Sequence, residues 1–385
     1  MSFLSSLAQY KYILLFYLIL IGFIYYHRKK FQFQAKIIAL YRTKLGISLM
    51  DKIAKRHPVL VRKLATIGIY VGYLGMLVIL YFILHGLYLL IFIPSAPATF
   101  TPIIPGVPIP GSPIFVPFWY GIISLFIVVV IHEFSHGVVA RAYNIPVKSS
   151  GFVLFGPIPG AFVEPDEKKL RKQSAKIQNS LFAAGPFSNV LTAILLIIVF
   201  VGIVGPTFTR LYSPLGIAFS TLDEGMPALA AGLKVDELYT HVNGQEIKDS
   251  SAFTKALQDL KPGDTVTIGN ENNQHSVTAT SRKENPEKGY LGVHVTTRYT
   301  NEDSLGFRLF GMLVEFLNWL YILSLGLGLA NLLPLGPIDG GRMSQLALHK
   351  FFGAERGNHF WAKTSLFLVV MLLILIFVPI IKAVI

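Results

Sequence analysis

The sequence predicts a polytopic α-helical membrane protein of about six transmembrane helices, with a membrane-associated β-hairpin and one inserted soluble α/β domain. Three observations carry this. Of 385 residues, 53% are hydrophobic and only 14% charged, against about 25% charged in an average soluble domain. Six apolar runs approach the length needed to cross a bilayer. A single polar stretch, residues 206–306, interrupts them. The net charge of +13 would suit a nucleic-acid binder, but the basic residues lie in blocks between apolar runs, so they read as membrane topology and no nucleic-acid partner is expected. With no cysteine, a disulfide scaffold, a thiolate metal site and a cysteine nucleophile are excluded; any metal must be held by His, Asp or Glu.

In chain order the runs are Tyr12 to Tyr26, Leu64 to Ile93, Phe118 to Ala140, Leu181 to Val204, Leu309 to Leu333 and Thr364 to Ile381. The first lacks a small-residue cleavage pattern and is read as a retained span. Between His27 and Lys63 lie eleven Lys or Arg against Asp51 alone, which makes this loop cytoplasmic by the positive-inside rule. The loop from Pro94 to Pro117 is uncharged, and its prolines exclude a regular helix or central strand. It is expected to form an extracytoplasmic cap. Six alternating spans then place both termini outside and the polar stretch, with nine basic and thirteen acidic residues, on the external side. A prokaryotic plasma membrane is the expected location.

Four regions follow: 1–117, two spans with the basic and proline-rich loops; 118–205, the first half of a helical core; 206–306, the soluble domain; and 307–385, the second half of that core with a C-terminal span. Within the second region, Val147 to Glu164 reads as two extended runs joined by Gly156-Pro-Ile-Pro-Gly160, a hairpin apolar enough to dip into the membrane. In the third, Leu215-Gly-Ile217, Pro227-Ala-Leu-Ala-Ala-Gly-Leu233, Val242-Asn-Gly244, a helical Ser251 to Leu260 and Lys261-Pro-Gly-Asp264 resemble, in order, a bacterial-type PDZ domain. Val235-Asp236-Glu237 departs from the Gly-Asp usual after the Ala-Gly-Leu turn. Tyr290-Leu-Gly-Val293 also resembles a PDZ carboxylate-binding loop, so two loops compete for that role. A peptide or a free C-terminus is the partner this resemblance implies.

The chemistry is concentrated in the third run, at His132-Glu-Phe-Ser-His136. Residues four apart share a helix face, so both imidazoles can reach one zinc ion while Glu133 holds a water as general base. Ionisable groups inside a span are costly and functional by default. A catalytic zinc normally has three protein ligands. A third histidine at metzincin spacing would fall at Ala142, which excludes that class. Glu164 in the hairpin is one candidate; Asp339 is the stronger, because Pro334 and Pro337 break the fifth run near its cytoplasmic end and leave a carboxylate at membrane depth. Asn189, following Gly185-Pro186, is a candidate to face the cleft.

His132, Glu133 and His136, with Asn331, Pro334, Asp339 and Gly340 in Asn-x-x-Pro-x-x-x-x-Asp-Gly, resemble the site-2 protease family of intramembrane zinc metalloproteases over roughly Phe118 to Arg342. Ile338 stands where Leu is commoner. The resemblance implies one zinc completed by Asp339 and a substrate or oxyanion contact from Asn331, with Pro334 and Gly340 of the same element also expected among the substrate-binding residues. It also implies a membrane-associated β element, where Phe152, Val153 and Leu154 would pair with a locally unwound transmembrane-protein substrate within the lipid bilayer. The expected activity is hydrolysis of peptide bonds in or near transmembrane segments, as in regulated intramembrane proteolysis. A metal-dependent scaffold or transporter is the competing class, and the intact Glu133 argues against it, because a structural or transported ion needs no general base.

Overall fold

A computed structural model describes residues 11–34, 38–93, 97–155, 158–282 and 285–384. They divide into two compact units, 1–198 with 315–385, and 199–314. Part of the expected hairpin turn, residues 156–157, lies outside the described residues.

The first unit begins with α1 (Lys11–Tyr26), β1 (Phe31–Gln34), β2 (Ile38–Thr43), α2 (Ile47–Arg56), α3 (Pro58–Phe92) and α4 (Phe118–Ala142). β3 (Val147–Phe155), β4 (Ile158–Pro165), α5 (Glu167–Arg171), α6 (Ala175–Phe182) and α7 (Ala184–Leu211, with a π turn at Phe200–Val204) follow. Among the described residues five helices are long and apolar enough to cross a membrane: α3, α4, α7, α10 (Leu305–Asn331, its number following the second unit's helices) and α12 (Ala354–Val384). The described part of α1 is apolar but has only 16 residues, about 24 Å at 1.5 Å per residue.

The segment expected to be a basic loop is instead structured. β1 and β2 extend the hairpin into a four-stranded antiparallel sheet of order β1-β2-β3-β4, with Thr43 opposite Ser150 and Leu40 opposite Val153. The strands make sense as a unit only together, since two-stranded ribbons are marginal in water. One guanidinium ties all four: Arg42 of β2 donates to Gln32 on β1 and Ser149 on β3, and pairs with Glu164 on β4. α2 packs on α4, where a methyl on Gly137 would collide with Met50 Sδ and lie 3.0 Å from its Cε. Asp51 pairs with Arg141, and Arg62 donates twice to the Ala142 carbonyl at 2.8 and 2.6 Å, capping the C-terminal end of α4 with a cation. Behind the site a core of Ala65, Met76, Leu181, Phe182, Leu332 and Met343 is closed by close helix approach. A methyl on Gly72 would lie 2.9 Å from Met343 Cε, the small-residue packing that membrane helices favour.

In the second unit β5 (Pro214–Leu222) pairs with β12 (Val293–Tyr299), and β6 (His241–Val242), β7 (Gln245–Glu246), β8 (Thr265–Gly269) and β9 (Gln274–Thr278) form a sheet of order β7-β6-β8-β9. β10 (Thr280–Arg282) pairs with β11 (Asn285–Tyr290). The helices α8 (Pro227–Ala230) and α9 (Ser250–Ala256) cover a core of Ile217, Phe219, Tyr239, Ile268 and Val277. Of the two loops competing as a carboxylate binder, Leu215-Gly-Ile217 lies within β5, and the Ile217 and Tyr239 backbones exchange hydrogen bonds. Tyr290-Leu-Gly-Val293 instead turns at Gly292, with φ of +80°, and leads into a groove lined by Tyr290, Leu291, Val293 and α9.

Candidate metallopeptidase site

The two histidines of α4 are four residues apart and both buried. α10 ends at Asn331, and α11 (Asp339–Phe352) begins on Asp339 itself, which puts a carboxylate in the first turn, where the helix dipole favours it. Gly336 takes φ of +55° in the intervening turn. Side chains at Gly340 and Gly341 would overlap the backbone of residues 332–336, so these glycines let α11 start hard against that turn. Asp339 Oδ2 thereby lies 3.0 Å from His132 Nε2 and 3.3 Å from His136 Nε2. Among the described residues this is the group of metal-ligating side chains whose donor atoms lie within 4.8 Å of one another.

The surroundings fit a metal in three ways. His136 Nδ1 is 2.8 Å from the Leu181 carbonyl; donating there fixes the tautomer that leaves Nε2 bare as a ligand. Asn189 is fully buried, its amide nitrogen 3.1 Å from His132 Nδ1, while its Oδ1 has no hydrogen-bond partner among the described residues. Exchanging the amide's O and N, which are assigned rather than seen, lets Oδ1 accept from His132 Nδ1 and again frees Nε2. Finally, a methyl on Gly185 at the start of α7 would lie 2.5 Å from His136 Nε2 and closer still to His132 Nε2, so the glycine keeps open the space between the donor atoms.

Glu133 faces a cavity of about 300 Å³ that it shares with both histidines, Asp339, Asn331 and Val163. Its Oε2 accepts from the Val163 backbone N–H at 3.0 Å. That contact fixes which way β4 faces. In an antiparallel pair outward-pointing backbone groups alternate, so Pro159, Ala161, Val163 and Pro165 point away from β3, and both prolines sit where a missing N–H takes nothing from the ladder. Among the described residues β4 is therefore an edge strand of the sheet, lying against α4 with its outward Val163 N–H taken by Glu133.

Several sequence expectations need correcting here. Phe152, Val153 and Leu154 lie on β3, whose backbone is paired by β2 and β4, so they offer no edge to a substrate; Val153 and Leu154 are buried, and Phe152 stacks on Phe126. Glu164 stands outside the donor group: Ser149 donates to it at 2.6 Å and Arg42 pairs with it. The Ser149 hydrogen bond, opposed by desolvation and aided by Arg42, holds its carboxyl below the usual carboxylate range. Pro334 and Gly340 are buried in the turn rather than set in the cavity wall. Asn331 does line the cavity and donates to the Leu327 carbonyl at 3.1 Å. Sequence reasoning missed Gly185 as a spacer and the Leu181 carbonyl as a tautomer lock; the Gly-Pro before Asn189 was the only signal for the first.

A metallopeptidase carried on membrane-spanning helices is the class these features define. The sequence profile of Peptidase family M50, the site-2 protease family, matches residues 120–375, and the chain belongs to that family. An uncharacterized protein of Methanocaldococcus jannaschii is 29% identical over 311 residues, covering 79% of this chain and 76% of its own. The PDZ domain of an SdrC-like protein from Listeria monocytogenes is 27% identical, with a TM-score of 0.19, covering 21% of this chain and 86% of that structure. The family match begins after β1, β2, α2 and α3.

Proposed function

We propose that the chain is an intramembrane zinc endopeptidase that cuts peptide bonds in or near transmembrane segments of other membrane proteins. The convergence of His132, His136 and Asp339 beside Glu133 carries this reading. The three side chains would hold one zinc ion, as hard and borderline nitrogen and oxygen donors suit it. When bound, zinc supplies Lewis-acid polarisation and makes water acidic enough to be a nucleophile near neutral pH.

The rest of the chemistry belongs to the chain. Glu133 takes a proton from the attacking water and returns it to the leaving nitrogen. Asn331 lies in the same cavity and supports the substrate backbone or the developing oxyanion. A helical substrate hides its carbonyls in its own hydrogen bonds; the outward edge of β4 offers Ala161, and Val163 once Glu133 releases its N–H, as partners that hold an unwound segment extended. The basic residues of β2, α2 and α5 favour a cytoplasmic sheet and an external second unit in a prokaryotic plasma membrane. In that second unit the groove beside Tyr290-Leu-Gly-Val293 suits an extended peptide or a free C-terminus.

Purified Glu133→Gln tests the mechanism: it should bind zinc with the parental stoichiometry and fail to cleave. Cleavage at the parental rate refutes it. Asp339→Ala should lose zinc where Glu164→Ala retains it; the reverse outcome moves the third ligand to the sheet.

A further inference from the structure

On the far side of Glu133 from the histidines lies a second, smaller cavity of about 130 Å³. It is walled by apolar side chains: Leu45 from the turn between β2 and α2, Met50 from α2, Phe134 from α4 and Phe162 from β4. Glu133 and Val163 line both this cavity and the catalytic one. The two spaces therefore lie on either side of the hydrogen bond between Glu133 and the Val163 N–H, which forms their shared wall.

We infer that this cavity is the specificity pocket for an apolar substrate side chain next to the scissile bond, and that the N-terminal segment outside the family match sets its size. The inference rests on the protease reading above. Its occupant follows from position: a chain that takes over the Val163 N–H from Glu133 runs extended along β4, its side chains alternate between the two faces of the extended strand, and one of them is directed at the apolar cavity. An apolar cavity of about 150 Å³ holds a benzene ring. A space of about 130 Å³ therefore suits a Leu-sized group and excludes an indole.

The wall is fixed in place rather than loosely laid. Ser150 Oγ donates to the Leu45 carbonyl at 2.6 Å, Thr43 Oγ1 donates to the Ser150 carbonyl at 3.1 Å, and Leu45 N–H returns to Thr43 Oγ1 at 3.1 Å. Gly46 supplies the φ of +81° that turns the chain into α2. Met50 is then seated in the notch left by Gly137 on α4. A rigid wall discriminates by size, because it cannot relax around a misfit.

The test uses the full-length protein with zinc and a reporter series, each a single apolar transmembrane helix with one cut site located by mass spectrometry. The residues flanking that bond are replaced one at a time by Ala, Leu, Phe or Trp. At one flanking position wild type should favour Leu over Trp by roughly tenfold or more in kcat/KM, the range expected when an apolar pocket meets a misfit. Leu45→Ala and Met50→Ala should shift that ratio toward Phe and Trp by about tenfold, and Leu45→Trp should shift it toward Ala. Leu45 is exposed, so its variants keep the test sound if Met50→Ala, in a buried site, fails to fold. A ratio unchanged in the Leu45 variants, with zinc content and Leu-reporter cleavage intact, overturns the inference alone. A ratio that follows the acyl-chain length of the detergent or lipid marks the cavity as a lipid seat and also overturns it. No cleavage of any reporter by wild type overturns the protease reading and this inference with it.

Discussion

Gly185→Ala is expected to empty the metal site without disturbing the fold. The methyl would sit 2.5 Å from His136 Nε2, 2.6 Å from His132 Cδ2 and closer still to His132 Nε2, where ordinary contact begins near 3.4 Å. Each ring would have to retreat by about 1 Å. Neither ring is free to do so, because His136 Nδ1 is held by the Leu181 carbonyl and His132 Nδ1 by Asn189. A displacement of about 1 Å at reacting groups typically costs about 100-fold in rate, and loss of a fixed ligand orientation costs about 10- to 100-fold in metal affinity. Zinc affinity by chelator competition, alongside turnover, should therefore fall by at least 100-fold when both rings are displaced. Gly326→Ala on α10, where nothing lies within 4 Å of the added methyl, is the matched control and should leave both unchanged. Parental zinc affinity in Gly185→Ala would refute the reasoning, because the donor atoms would then not converge on the space the methyl fills.

Asn189→Ala should lower zinc affinity by about 10- to 100-fold, measured by the same competition, since it removes the group that orients His132; an unchanged affinity would leave Asn189 with packing alone. Glu164→Gln should lower thermal stability at neutral pH. Because the Glu164 pKa is held down in the folded chain, chiefly by Ser149, its contribution is present above the ordinary value of about 4.5 and is lost as pH falls through the depressed one. The melting difference between variant and parent should thus close on acidification, and a gap that widens would reverse the sign. Asn270→Cys, in this cysteine-free chain, should react with an impermeant thiol reagent from outside intact cells; labelling only after permeabilisation would invert the topology.

How much of this was legible in the sequence depended on the range of the interaction. The histidines and Glu133 declared themselves because one helix turn sets their spacing. Asp339 was readable because Pro334, Pro337 and the paired glycines break the chain where a carboxylate is otherwise expensive. The sheet was half legible. Val147 to Glu164 carries the extended pattern of a hairpin, but Phe31-Gln-Phe-Gln34 and Ile38-Ala-Leu-Tyr-Arg-Thr43 are too short and too close to basic residues to be distinguished from a loop. What makes them strands is a partner more than a hundred residues away, with Arg42 reaching Ser149 and Glu164. The tautomer locks were illegible for the same reason, since a backbone carbonyl such as that of Leu181 has no residue-type signature.

The edge strand shows why such long-range pairing matters to function. A bare β3–β4 hairpin has two edges, and an unwound substrate could add to either. β2 closes the β3 side and moves that edge out to β1, so the edge beside the general base is β4, where Val163 N–H meets Glu133. Pro159 and Pro165 then remove two of the donors that edge would otherwise present, leaving the Ala161 N–H and the Val163 N–H that Glu133 holds. Under the proposed strand pairing a substrate would find only a short register in which its backbone is satisfied, and that register lies against the general base. Arg42 holds all four strands at the height this requires. By this route a segment that contributes no catalytic group would, in the proposed binding mode, set how a substrate approaches the edge beside Glu133, and the apolar wall formed by Leu45 and Met50 is part of the same construction.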